Sequence, residues 1–195
     1  HIVCRPVEER RTSVDRGGIG ADSEEEPAFP QAELPPEGVP ISIPGETEIG
    51  IVAGDRPAEI HCTLISREKD STGFKIACEW AFKAAGSGAL EQHFDAAQTV
   101  GPLVIRNPKA GDRFHPLGAP GSKKLKDFLI DTGVPSKLRR HLIVLADADG
   151  ILWVAGARIS HRARLTDRTP TILRVWLDLF GFSSLLPSAR KRSRT

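Results

Sequence analysis

The sequence predicts an α+β fold that is rich in β-strands and contains one or two short helices. From about residue 39 onward, short apolar runs of alternating character follow one another, separated by Pro, Gly, Asp and Ser, which is the pattern of strands and turns. One later segment changes its apolar period to that of a helix. The 195 residues, 39% of them hydrophobic, suffice for one sizeable domain, with or without tails.

The predicted strands alternate apolar with polar residues, or are short apolar runs bounded by turn residues. In chain order they are VPISIPG (39–45), EIGIVAG (48–54), AEIHCTLIS (58–66), GFKIACEWAF (73–82), EQHFDAAQ (91–98), PLVIRN (102–107), LIVLAD (142–147), ILWVAGARI (151–159) and TILRVWL (171–177). The sequence ADADG (146–150) is typical of a hairpin turn. The strands on either side of it are therefore expected to pair with each other.

A helix is predicted within SKKLKDFLIDTG (122–133). Leu125, Phe128 and Leu129 have the i, i+3, i+4 spacing of one helical face, and the lysines lie mostly on the other faces. Ser122 is expected to cap the start of this helix, and Gly133 to end it. The segment PSKLRRH (135–141) is expected to form a second short helix or a turn.

Composition divides the chain into four regions. Residues 1–36 are rich in Gly, Pro and Glu and have almost no apolar periodicity, so we expect a linker or a disordered segment. Residues 37–100 are a β-rich region, residues 101–175 a basic C-terminal domain and residues 176–195 a tail. The apolar stretch WLDLFGFSSLL (176–186) is compatible with a terminal helix or with an extension.

The charge of the chain is distributed very unevenly, although the total is only +2. Residues 1–100 carry 9 Lys and Arg against 18 Asp and Glu, a net charge of −9. Residues 101–195 carry 18 Lys and Arg against 7 Asp, a net charge of +11. A basic module of this kind indicates a polyanionic partner, most simply a nucleic acid.

Two classes of function are not expected. The segment GGIGADS (17–23) is superficially similar to a nucleotide-binding loop, but the three glutamates at 24–26 would repel a phosphate there. No apolar run of about 18 residues occurs, so we expect no membrane partner and a cytoplasmic protein.

The remaining sequence features concern redox state, metals and completeness. Cys4, Cys62 and Cys78 lie far apart and are expected to be free thiols. The pair His61-Cys62 is too little for a zinc site, so no metal ligand is predicted. Because the chain begins with His1 and contains no Met, we expect it to be a fragment of a longer protein.

The candidate binding site is the basic region in and around residues 111–131. Lys and Arg neutralise the phosphates of a nucleic acid and release counterions, and the N–H groups at a helix start add positive potential. The residues predicted to contact the nucleic acid are Arg106, Arg113, Lys123, Lys124, Lys126, Arg139, Arg140 and Arg158.

No catalytic residue is predicted among the acidic and aromatic residues of this region. Asp112 is expected to be a turn residue or the partner of an arginine. Asp127 and Asp131 lie four residues apart and are expected to pair with neighbouring Lys or Arg rather than to act as acid and base. His115 precedes a proline and has no evident nucleophile beside it. The aromatic residues expected in the core are Phe114, Phe128 and Trp153.

Residues 94–159, FDAAQTVGPLVIRNPKAGDRFHPLGAPGSKKLKDFLIDTGVPSKLRRHLIVLADADGILWVAGARI, resemble the C-terminal region of bacterial tRNA(Ile)-lysidine synthetases. The positions that match the family pattern are Phe94-Asp95-Ala96, Arg106, Gly111 to Phe114, Pro116, Gly118, Lys123 to Phe128, Asp131, Pro135, Arg139, Trp153-Val154, Gly156 and Arg158-Ile159. The chain departs from the pattern at Ala97, where the family has a second Asp, and at Leu129, where it has a second Phe.

The resemblance implies a tRNA-modifying ligase. The whole enzyme uses ATP, with magnesium, to attach lysine to the wobble cytidine of an isoleucine tRNA. Its N-terminal domain carries an S-G-G-x-D-S loop that this sequence lacks. This chain is therefore expected to bind no cofactor itself and to hold the tRNA from its acceptor-stem side. The implied fold is similar to a module of the phenylalanyl-tRNA synthetase β chain.

The implied partners are the isoleucine tRNA and the N-terminal catalytic domain, and a homodimer is left open. The alternative function is a stand-alone protein-interaction module of the same fold, in which the acidic half of the chain neutralises the basic half.

Overall fold

The computed structural model describes residues 32–51, 57–84 and 90–178. The strands are β1 (Val39–Pro40), β2 (Gly45–Ile51), β3 (Pro57–Ser66), β4 (Glu91–Asp95), β5 (Val104–Arg106), β6 (Arg113–Phe114), β7 (Lys123–Lys124), β8 (Val144–Asp147), β9 (Gly150–Val154), β10 (Arg158–Ile159) and β11 (Thr171–Asp178). The helices are α1 (Ser71–Ala84) and α2 (Leu125–Asp131), and single 3-10 turns lie at Ala96–Gln98, Arg139–His141 and His161–Ala163. The predicted β-rich α+β class is confirmed.

The strands form two sheets and a small hairpin. One sheet has the order β1-β5-β8-β9-β10, the other has the order β2-β3-β11-β4, and β6 pairs with β7. The predicted hairpin at residues 146–150 is confirmed, because β8 and β9 are antiparallel neighbours with Asp147 opposite Gly150. Within the described part of the chain, no helix is long and apolar enough to cross a bilayer.

Strand β11 joins the end of the described chain to its beginning. It lies between β3 and β4, with Leu173 opposite Leu64 on one side and Phe94 on the other. The alternate residues Leu173, Val175 and Leu177 are buried in an apolar cluster that also contains residues of the five-stranded sheet. Burial of this shared core is the main stabilising term for both sheets.

The predicted boundary at residue 100 does not coincide with a break between the two sheets. Residues 37–100 supply three strands of the second sheet, and residues 171–178 supply the fourth. Since β11 completes a sheet that the earlier region begins, the two regions share this sheet and its core. A local pattern of alternation identifies a strand but not the partner beside which it lies.

The described part of the fold also extends further at both ends than predicted. Ala32 is only 4% exposed, and its N–H donates to the carbonyl of His141 at 2.8 Å. Residues 32–36 of the predicted linker therefore belong to the described fold, and residues 1–31 lie outside the described part. Residues 176–178 of the predicted tail belong to β11, while residues 179–195 lie outside the described part.

One predicted strand is wrong, because residues 73–82 lie within the helix α1. Phe74 and Ala77 have helical spacing, are buried, and pack against Ile172 of β11. Asp70 caps the helix, since its carboxylate accepts the N–H of Gly73 at 2.7 Å. The cap residue and the i, i+3 pair were the available helix signals, and the short apolar alternation obscured them.

His93 is a buried histidine on β4. It is 3% exposed, and its Nε2 lies 3.6 Å from the carboxylate of Glu91. Burial lowers the pKa of His93 to about 4; the Glu91 carboxylate opposes this shift, and the positive charge of Arg174 adds to it. The ring is therefore neutral in the folded protein at neutral pH.

The protein is expected to lose stability as the pH falls from about 6.5 to about 4, partly through His93. Between these two pH values the histidine is protonated in the unfolded state but stays neutral in the folded state. The free energy of unfolding therefore decreases as the pH is lowered. The contribution from this residue is roughly 3 kcal/mol. Urea unfolding between pH 7 and pH 4 should therefore show a shallower dependence for His93→Gln than for the wild type. Equal slopes for the two proteins would contradict the assignment.

Candidate nucleic-acid interface

The basic residues at the centre of the candidate site lie on the β6–β7 hairpin. Arg113 stands opposite Lys124, and Phe114 opposite Lys123. Arg113 and Lys124 are exposed, whereas Phe114 is buried. The pairing therefore places an arginine and a lysine side by side on one solvent-facing surface.

The predicted start of the helix at Ser122 is wrong. Lys123 and Lys124 form β7, and α2 begins at Leu125, with Lys124 at the N-cap position and no side-chain cap. The reason is that the backbone pairs with the preceding segment, because the N–H of Leu125 donates to the carbonyl of Asp112 at 2.8 Å. The predicted end of the helix is confirmed by Gly133, whose φ of +75° favours glycine.

Apolar residues fix the hairpin and α2 to the five-stranded sheet. Phe114 and Phe128 meet edge to face, with ring centroids 5.0 Å apart. Leu125 and Leu129 complete the inner face of α2 and share a cluster with residues of β8 and β9. The prediction that Phe114, Phe128 and Trp153 are core residues is confirmed. The outer, basic side of the hairpin is thus backed by a packed apolar cluster.

Arg106 does not lie on this surface. It is 8% exposed, and its two terminal nitrogens donate to the two carboxylate oxygens of Asp112 at 2.8 and 2.9 Å. One of the same nitrogens also donates to the carbonyl of Asn107 at 3.0 Å. The prediction that Arg106 contacts a nucleic acid is therefore revised, because its guanidinium is buried and already paired. The prediction that Asp112 is the partner of an arginine is confirmed.

Asn107 is a structural residue that the sequence analysis missed. Its side-chain nitrogen donates to the carbonyls of Ala32 and Leu142, at 2.8 and 2.9 Å, and its oxygen accepts the N–H of Leu34 at 2.9 Å. It thus ties the first described residues to the segments after β5 and before β8. The available signal was an Asn directly before Pro108, which indicates a turn but not these partners.

Three other predicted contact residues have side chains that are bonded to other parts of the protein. Lys123 is paired with Asp131, as was expected for that aspartate. Arg139 is half-buried and donates to the carbonyl of Val134, and Arg158, also half-buried, donates to that of Leu117. Part of the hydrogen-bonding capacity of these side chains is therefore used within the protein.

Four predicted residues, three of them on the hairpin or at the start of α2, combine exposure with freedom from ion pairs in the described part of the chain. Within residues 32–51, 57–84 and 90–178, Arg113, Lys124 and Lys126 are exposed and form no ion pair. Arg113 donates one weak hydrogen bond, 3.3 Å long, to the carbonyl of Ser122. Arg140 is exposed as well and donates to the ring of His141. We name Arg113, Lys124 and Lys126 the basic face.

The acidic first half of the chain does not neutralise the basic face in the described structure. Most basic residues of the second half that form ion pairs do so within that half, as Arg106–Asp112, Lys123–Asp131 and Arg162–Asp147. The pair Arg174–Glu91 crosses between the halves, but it lies on β11 and β4 rather than at the hairpin.

His115, the histidine at the candidate site, is held by contacts within the fold. The Nε2 of His115 lies 2.7 Å from the carbonyl of Ala119, and its ring stacks on His161 with centroids 4.6 Å apart. Burial lowers the pKa of His161, and the nearby Arg164 and His115 lower it further. Neither ring is arranged against a nucleophile among the described residues.

Among the described residues, Glu46, Glu59 and His61 are grouped closely enough for a metal ion, with ligand atoms within 4.8 Å of one another. The two ring nitrogens of His61, however, face different carboxylates, that of Glu46 at 3.2 Å and that of Glu59 at 3.4 Å. The imidazole thus lies between the two carboxylates, with a different ring nitrogen facing each.

Comparison with known proteins places the basic face inside a recognised domain. Residues 103–176 match the family model described as the TilS substrate C-terminal domain. The resemblance found in the sequence is thereby confirmed for the C-terminal part of the chain.

Several proteins named tRNA(Ile)-lysidine synthase match this chain over part of its length. The tRNA(Ile)-lysidine synthase of Geobacter sulfurreducens is 41% identical over 87 residues, which are 44% of this chain and 18% of the relative. That of Clostridium tetani is 34% identical over 93 residues, 48% of this chain and 20% of the relative. That of Symbiobacterium thermophilum is 33% identical over 149 residues, 75% of this chain and 27% of the relative. The chain spans about a fifth to a quarter of the length of these relatives.

Among solved structures, the crystal structure of a TilS C-terminal domain has a TM-score of 0.50 and 22% identity, covering 71% of this chain and 92% of that one. This likeness shows that the fold is shared. An N-terminal fragment of the phenylalanyl-tRNA synthetase β-subunit from Pyrococcus horikoshii has a TM-score of 0.45 and 18% identity, covering 62% of this chain and 39% of that one.

Arg106 and Lys124 are expected to differ sharply in their effect on stability. Arg106→Ala leaves the carboxylate of Asp112 nearly buried without its partner and should lower the free energy of unfolding by about 3–5 kcal/mol. Lys124→Ala removes an exposed, unpaired side chain and should change it by less than about 0.5 kcal/mol. Urea unfolding of both variants measures the difference. A small effect of Arg106→Ala would argue against a structural role for this arginine.

Proposed function

We propose that this chain is the tRNA-holding C-terminal part of a tRNA(Ile)-lysidine synthase. The whole enzyme would attach lysine to the wobble cytidine of an isoleucine tRNA, with ATP and magnesium used by a catalytic domain elsewhere in the protein. The observation that supports this most is the exposed basic face, free of ion pairs, inside the segment that matches the TilS substrate C-terminal domain. The names of the relatives support the same function.

The chemistry of the basic face suits the phosphate backbone of RNA. Lys and Arg neutralise phosphates and release counterions, and RNA helices are recognised largely by shape and backbone. Arg113 and Lys124 lie side by side on the hairpin, and Lys126 follows at the start of α2. The apolar contacts below them position the backbone from which these side chains extend.

The chain would act by binding rather than by chemistry. A tRNA that is held on its acceptor-stem side can present its anticodon to a distant active site, and the binding energy then contributes to orientation at the reacting base. This division assigns the ligase activity and the cofactors to the catalytic domain. It is also consistent with a cytoplasmic protein that works on tRNA.

The triple variant Arg113→Ala, Lys124→Ala, Lys126→Ala is expected to bind isoleucine tRNA at least about tenfold more weakly than the wild type. Each lost phosphate contact should also reduce the slope of log affinity against log salt by about 1. Fluorescence anisotropy with labelled tRNA at several salt concentrations measures both quantities.

A matched control is the triple variant Arg67→Ala, Lys69→Ala, Lys75→Ala, which removes the same charges from exposed positions in the turn after β3 and in α1. Of these, Arg67 also loses its contact with the ring of Phe74. It should keep most of the affinity and the salt slope. Equal losses in both triple variants would show that net charge alone matters. If the wild-type chain fails to bind tRNA even at low salt, the tRNA function is refuted and the protein-interaction alternative is favoured.

A further inference from the structure

The carboxylate of Asp112 connects the basic face to the interior of the protein. It accepts both terminal nitrogens of Arg106, and it also accepts the backbone N–H of Lys109 at 2.7 Å. The side chain of Arg106 is 10% exposed and that of Asp112 is 13% exposed, so water competes little with these bonds. Arg106 is the last residue of β5, which lies between β1 and β8 in the five-stranded sheet.

The backbone of Asp112 forms hydrogen bonds to the preceding turn and to the start of α2. Its N–H donates to the carbonyl of Lys109 at 3.1 Å, closing a turn in which Gly111 has a φ of +88°. Its carbonyl accepts the N–H of Leu125, the first residue of α2. The next residue along the chain is Arg113, opposite Lys124. One residue thus links the sheet, the turn, the hairpin and the helix.

We propose that Asp112 is a positioning residue for the tRNA site: its paired bonds to Arg106 set where Arg113 and Lys124 stand relative to the sheet. The proposal rests on the proposed function, since it concerns how the basic face is presented to tRNA. A paired arginine and carboxylate, bonded through two parallel hydrogen bonds, fix direction as well as distance. Such a buried pair contributes more to a defined geometry than to stability when compared with an apolar pair of similar volume.

A positioning role and a purely electrostatic role predict opposite changes in tRNA affinity for the substitution Asp112→Asn. Asp112→Asn removes a negative charge beside the basic face, so electrostatics alone would tighten the binding of a polyanion. If Asp112 instead positions the hairpin, the same substitution weakens binding, because a neutral amide cannot hold the guanidinium with two acceptor oxygens. The sign of the change in affinity therefore decides between the two roles.

Asp127→Asn is the matched control. Asp127 is exposed in the first turn of α2, two residues after Leu125, and forms no ion pair within the described ranges. The substitution changes the net charge by the same amount, next to the same face, without touching the link to Arg106. It should leave tRNA affinity unchanged or tighten it by less than about threefold, as an exposed charge does.

The experiment measures the affinity of the full 195-residue chain for isoleucine tRNA by fluorescence anisotropy, at a temperature where thermal melts show each variant to be folded. Asp112→Asn is expected to weaken binding by about tenfold and to reduce the salt slope by about 1, as the loss of one phosphate contact does. A folded variant that merely lost stability would keep the wild-type affinity and slope. Affinity equal to or tighter than that of the wild type would overturn the proposal.

Arg106→Lys provides a second variant in case Asp112→Asn does not fold. It preserves the net charge but replaces the planar guanidinium with an ammonium that cannot form two parallel bonds. It should weaken tRNA binding by several fold, and unchanged affinity in this folded variant would equally overturn the positioning role. Failure of the wild-type chain to bind tRNA at all would instead refute the proposed function, so the two failures are distinguishable.

Discussion

The insertion of β11 between β3 and β4 is the constraint on which the rest of the structure depends. A strand at the end of the described chain completes a sheet that begins more than a hundred residues earlier, and its inner side chains close the core shared with the second sheet. Closing loops of this length costs conformational entropy, and a topology rich in such distant contacts folds slowly. Once formed, they bind the acidic first region and the basic second region into one unit.

That unit divides its charges into two groups. Charges that serve the fold form ion pairs whose carboxylate is largely buried: Arg106 pairs with Asp112, and the partly exposed Arg162 pairs with Asp147. The carboxylate of Asp147 also accepts hydrogen bonds from the N–H groups of Val100 and Asp149. The charges of the basic face are exposed and form no ion pair in the described structure, whereas the neighbouring Lys123 pairs with Asp131. The uneven distribution of charge in the sequence therefore reflects both folding and binding, and the structure separates the two contributions residue by residue.

The sequence allowed most strands to be predicted, because their alternation is local and the sheets bury one face of each strand. It failed where the outcome depends on distant partners. Residues 73–82 are helical because Phe74 and Ala77 pack against β11, and Lys123 and Lys124 extend a hairpin because Arg113 and Phe114 lie opposite them. The charge asymmetry located the candidate site, but it does not distinguish an exposed lysine from Arg106, whose burial follows from the tertiary structure alone.

The most direct test of the central idea, that the hairpin surface is where this chain meets tRNA, is to map the contact by NMR. A titration of the ¹⁵N-labelled chain with isoleucine tRNA should shift or broaden the amide signals of Arg113, Lys124 and Lys126 first and most. The amides of β2 and β3, which carry the acidic side chains Glu46, Glu48 and Glu59, should change least. Changes centred on β2 and β3, or none at the hairpin while tRNA is bound, would contradict the account.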